Sequence, residues 1–94
     1  MELFLVETPE RLAAAKRMAA CCECLSLARN ARALRDRCHQ LGLVEMEGLC
    51  GRLLELSSNR QELDTLPRQA GEVIEALARE FEAVSQLPRT DEVQ

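Results

Sequence analysis

The chain has no tryptophan, no tyrosine, two phenylalanines, three prolines, four glycines and one histidine in 94 residues. β-Branched residues are also scarce, so the aromatic and branched side chains that fill a pleated surface are missing, while Ala, Leu, Glu and Arg favour helix. A single histidine excludes a His-Glu-x-x-His metal helix and leaves no Ser or Cys triad to be assembled, and no glycine-rich phosphate loop is present. The apolar run in "MELFLVE" is too short for a signal core or a membrane span and lacks preceding basic residues. These absences predict a cytoplasmic, non-membrane helical protein without its own catalytic machinery. A chain of this length buries about 60–65% of its unfolded surface, which allows one modest core.

Charge is unevenly placed. A formal net charge of −4 and a pI near 5.0 argue against nucleic acid as the main partner, because phosphate binding needs a basic face. Yet Arg29, Arg32, Arg35 and Arg37 lie close together with only Asp36 to oppose them. The acids gather late, as Glu62, Asp64, Glu72, Glu75, Glu80, Glu82, Asp91 and Glu92. The late acids on the last helix read as a solvated face.

Five cysteines, an odd number without framework spacing, fit a reducing compartment. Cys21, Cys22 and Cys24 cluster in "CCEC", but a structural zinc site takes four ligands, and His39 lies about 22 Å along the helix from Cys24. No intramolecular metal site and no cofactor are expected, and these thiols are predicted to pack as small buried side chains. A site shared between two copies stays open.

Hydrophobic spacing predicts four helices. The first spans about residues 2–20, with Phe4, Leu5, Leu12, Ala15 and Met18 at helical intervals and a kink at Thr8-Pro9. The second covers about 24–41, its stripe Leu27, Ala31, Leu34, Cys38 and Leu41 stepping by four and three, with Gly42 as C-terminal cap. The third runs from about 44 to 57 on Met46, Leu49, Leu53 and Leu56, joined by Cys50. Gly48 and Gly51 each weaken it by about 1 kcal/mol unless another helix approaches there. After the polar "SSNRQELDT", Leu66, Ala70, Val73, Leu77, Phe81 and Val84 mark a fourth helix to about 87, stopped by Pro88. The expected architecture is all-α, an antiparallel up-down-up-down four-helix bundle over residues 1–88, with 89–94 as a flexible C-terminal tail.

"MELFLVETPERLAAAKRM", "ARALRDRCHQLGLVEMEGLCGRLLEL" and "ALAREFEAV" together resemble the histidine phosphotransfer (Hpt) domain of bacterial phosphorelays. The resemblance extends over about residues 3–87 and lacks the extra N-terminal helix many members carry. It implies a four-helix bundle whose second helix exposes a histidine that takes a phosphoryl group from one receiver aspartate and gives it to another. The family pattern is His, any, Leu, Lys, Gly, with a further glycine ten residues after the histidine. Gln40-Leu41-Gly42 matches the distal triplet, which places Arg32 at the phosphoacceptor position, Leu34 at the apolar site, Arg35 for the lysine and Asp36 for the small glycine. With His39 as acceptor the register fits less well, since Gly42 would replace the lysine and Leu43 the glycine.

An imidazole carries phosphate because its neutral form has a lone pair near pH 7. A guanidinium stays protonated and has none. The resemblance therefore implies a degenerate, non-catalytic member that binds a receiver domain, a sensor kinase or another helical partner through Ala28, Arg29, Arg32, Arg35, Asp36 and His39, as a monomer or weak homodimer. Asp36 is expected near the docking path, where it would reject ordinary receivers. The alternatives are true phosphotransfer through His39 and a helical adaptor or oligomerisation module unrelated to phosphorelays. A solvated cationic face explains the same arginines without any partner, and a helix C-terminus favours a histidine cation without any chemistry.

Overall fold

Leu27, Ala31, Leu34 and Cys38 recur at helical spacing, and all four are buried along one side of a helix. The computed structural model describes residues 2–58 and 64–86. They form α1 (Glu2–Ala20), α2 (Cys24–Gln40), α3 (Val44–Ser58) and α4 (Leu66–Ser85), with no strand among the described residues. Neighbours in sequence pack on one another and α1 also packs on α4, so the helices enclose one core as a four-helix bundle. Among the described residues no helix is long and apolar enough to cross a membrane.

α1 runs as one helix through Pro9, which lies outside the buried stripe of Phe4, Thr8, Leu12, Ala15 and Ala19. Proline has no N–H, so the Leu5 carbonyl one turn earlier loses its helical donor. Phe4 meets Phe81 of α4 with ring centroids 5.7 Å apart and planes tilted by 59°, an ordinary aromatic contact. In α4, Pro67 occupies the first turn, where a missing N–H costs nothing.

The α1–α2 and α2–α3 connections are the same structure twice. In the first, Glu23 N–H donates to the Met18 carbonyl at 2.8 Å and Cys22 N–H to that of Ala19 at 3.1 Å. In the second, Leu43 N–H donates to Cys38 at 2.9 Å and Gly42 N–H to His39 at 3.1 Å. Both are Schellman caps, which require a left-handed residue just past the helix. Gly42 supplies it at φ 72°, as its place in the sequence predicts, whereas Cys22 adopts it at φ 56° with a side chain attached.

Two expectations need correction. The buried stripe of α3 is Met46, Cys50, Leu53 and Ser57, with Leu49 and Leu56 only half-buried, and Ser57, counted with the polar connection, belongs to the core side of the helix, which ends at Ser58. Ser57 is accommodated because its hydroxyl donates to the Leu54 carbonyl at 2.9 Å. Cys21 and Cys22 are exposed and Cys24 half-buried rather than buried, because the first two belong to the Schellman turn past the end of α1 and not to a helix face turned to the core. The buried thiols are Cys38 and Cys50.

Gly48 and Gly51 face open space, since a β-carbon built on either meets nothing within 4 Å. Among the described residues no other helix comes within that distance of α3 there. The predicted stop at Pro88, the tail 89–94 and residues 59–63 lie outside the described residues.

Candidate partner-binding face of the second helix

With one side of α2 buried, its polar residues divide between an outer face and two flanks. Arg29, Arg32, Asp36 and His39 are exposed, while Ala28 and Arg35 are half-buried. The flank carrying Ala28, Arg32, Arg35 and His39 turns towards α3: the His39 ring nitrogen Nδ1 lies 3.0 Å from Glu47 Oε2, and the Arg35 charge acts on Cys50. The structure therefore brings Ala28, Arg32, Arg35 and His39 to one flank, sets Glu47 against His39, and leaves Arg29 and Asp36 on the outer face. Glu47 stands four residues beyond Leu43, in the first turn of α3, so the tight cap at Gly42 swings its carboxylate back against the last turn of α2.

The opposite flank faces α1. Asn30 Nδ2 donates to the Arg11 carbonyl at 2.7 Å, and Arg11 Nη1 donates to Asn30 Oδ1 at 3.4 Å. Arg11 also lies 3.8 Å from Glu7, one turn earlier. A shallow hollow of about 200 Å³ opens beside this link, edged by Glu7, Arg11, Asp36, Arg37 and Gln40. Asp36 thus borders the outer face and the α1 flank together. Arg32 is exposed and does not edge this hollow.

Electrostatically the face is unbalanced. Among the described residues none of Arg29, Arg32, Arg35 and Arg37 forms an ion pair. Two carboxylates on neighbouring helices have other partners, Glu7 with Arg11 and Glu47 with His39. The exposed Glu72, Glu75 and Glu82 belong to α4, which packs mainly on α1 and α3.

Beneath the face, Cys38 of α2 and Cys50 of α3 are hydrogen-bonded through their thiols. That bond pulls the Cys38 pKa below the usual thiol value, against opposition from burial and from the Glu47 charge. The same bond, reinforced by burial, pushes Cys50 upwards. Both thiols are fully buried, so they serve packing. Among the described residues no group of three or more His, Cys, Asp or Glu side chains is arranged to hold a metal ion.

No protein-family model, curated protein or solved structure matches the chain. Any functional reading rests on the residues of this face.

Proposed function

We propose that the chain is an Hpt-like signalling module, its four helices antiparallel in up-down-up-down order, that binds a receiver domain, a sensor kinase or another helical partner through the outer face of α2 without passing phosphate. It acts by occupancy, as a competitor or an adaptor. The observation carrying this reading is Arg32, exposed midway along α2 and without an ion-pair partner among the described residues, at the position the resemblance assigns to a phosphoacceptor. A guanidinium donates hydrogen bonds there but has no lone pair to attack phosphorus. The antiparallel order is supported by the three-residue connections 21–23 and 41–43 and by the Arg11–Asn30 link between the middles of α1 and α2.

Exposed ion pairs each contribute about 0–1 kcal/mol, so affinity must come largely from shape and apolar contact around the charges. Capture from the native cytoplasm with wild type, Arg32→Ala and Arg35→Ala tests the reading. Receivers or sensor kinases retained by wild type and lost from both variants support it; equal retention by all three refutes the face.

One observation favours a second reading, phosphotransfer through His39. Glu47 engages Nδ1, and the ring is largely exposed, which leaves Nε2 accessible as a nucleophile when the imidazole is neutral. Incubation with a phosphorylated receiver distinguishes the two. Acid-labile, base-stable label on the chain that disappears in His39→Gln establishes transfer; its absence leaves docking.

A further inference from the structure

We propose that Cys21 and Cys24 form half of a zinc site, completed by the same two thiols of a second copy, so that the cation joins two chains where α1 gives way to α2. The inference is independent of the docking reading above. The pair has the spacing C-x-x-C, which sets two sulfur ligands on one cation in structural zinc sites, where a tetrahedron of four is the rule. Here the spacing falls on a tight turn. Cys22 takes the left-handed cap at φ 56°, Glu23 follows at φ −83° and ψ 74°, and the Cys24 N–H donates to the Cys22 carbonyl at 3.0 Å. That bond closes an inverse γ-turn, which shortens the path from the first to the fourth position of the motif. Cys21 is exposed just past the end of α1, while Cys24, the first residue of α2, is half-buried against the core. The pair is thus reachable from outside and anchored on a rigid element.

One chain does not complete the tetrahedron with sulfur or imidazole. All five cysteines and the single histidine lie among the described residues. Cys38 and Cys50 are buried in the core, and His39 stands about 22 Å along α2 from Cys24. Among the described residues no third Cys, His, Asp or Glu is placed to make a metal-holding group with the pair. A second copy related by a twofold axis supplies the two missing thiols in a closed, self-complementary contact. Two features of the same end suit that contact. Leu25, beside Cys24, has 67% of its surface uncovered, and a copy seated there would remove it from water. Arg17, exposed one turn before Cys21, offsets part of the negative charge that four thiolates place around a divalent cation. On binding, each chain gives up two thiol protons and four sulfur–zinc bonds form, with no change of oxidation state.

The test adds zinc(II) to the full chain kept reduced by a phosphine, following mass by analytical ultracentrifugation and metal content by elemental mass spectrometry. The expected result is a dimer holding one zinc per two chains and dissociated by EDTA, with a cobalt(II) form that absorbs as a tetrahedral thiolate complex. Cys21→Ser and Cys24→Ser should each raise the zinc concentration needed for half-dimerisation by at least about tenfold, while circular dichroism of the metal-free chains stays unchanged. Cys22→Gly should keep the zinc-dependent dimer, because residue 22 supplies the turn and not a ligand. A chain that stays monomeric at every zinc concentration, or that holds zinc as a monomer, overturns the inference. So does a dimer that persists in EDTA with reductant, or one that forms only without reductant and is therefore a disulfide. Zinc-dependent dimerisation kept by both serine variants, or lost in Cys22→Gly, places the ligands elsewhere and overturns it as well.

Discussion

Cys22 and Gly42 occupy the same place in two turns with the same hydrogen bonds, so exchanging their chemistry should change stability with opposite signs. A left-handed conformation costs a residue bearing a β-carbon about 1–2 kcal/mol, whereas glycine adopts it freely but loses about 0.5–1 kcal/mol more backbone entropy on folding. The difference leaves about 0.5–1 kcal/mol in favour of glycine at either cap. Cys22→Gly should therefore stabilise by about that amount, less whatever its exposed side chain contributes, and Gly42→Ala should destabilise by a similar amount. For a domain of this size each 1 kcal/mol moves Tm by about 4–8 °C, well within measurement. Urea titration followed by circular dichroism should show the two midpoints displaced on either side of wild type with an unchanged slope. Displacements of the same sign, or a Cys22→Gly variant less stable than wild type, would refute the assignment of Cys22 as a strained cap.

Gly48→Ala and Gly51→Ala should each stabilise the isolated chain by about 1 kcal/mol, because the added methyl meets nothing and the helix gains propensity. A loss in the same urea titration would mean that something packs on that side of α3. Native alkylation with iodoacetamide should modify Cys21 and Cys22 first, Cys24 more slowly, and Cys38 and Cys50 only on unfolding, as read by peptide mass spectrometry. Early labelling of Cys38 would contradict its place in the core.

Much of the fold was legible because burial on α2 follows a simple rule. Leu27, Ala31, Leu34 and Cys38 are the apolar residues at helical spacing, and arginines surround them, so only one side can face the core. On α3 the rule loses its power. Leu49, Leu53, Leu54 and Leu56 offer more apolar residues than one stripe can use, and the neighbouring helices choose Leu53 while leaving the others half-buried. The burial of Ser57 escaped because a polar side chain reads as exposed until its hydroxyl is seen to bond the preceding turn. The candidate face was legible as a list of residues on α2, including Arg32 and His39, since residues three and four apart share a flank. Glu47 was not, because its approach to His39 depends on how sharply the chain turns at Gly42.

What the amino-acid order determined by itself is therefore local: four helical segments, the buried stripe of α2, the glycine cap at residue 42 and an arginine-rich face on an otherwise acidic chain. These follow from side-chain period, backbone freedom and charge, all readable within a turn or two of helix. Which thiols are buried, which leucines of α3 reach the core, which residue besides glycine takes the left-handed cap and which carboxylate holds His39 were decided by the assembled bundle. Each depends on what a neighbouring helix places opposite, and a one-dimensional pattern carries no distance between residues of different helices.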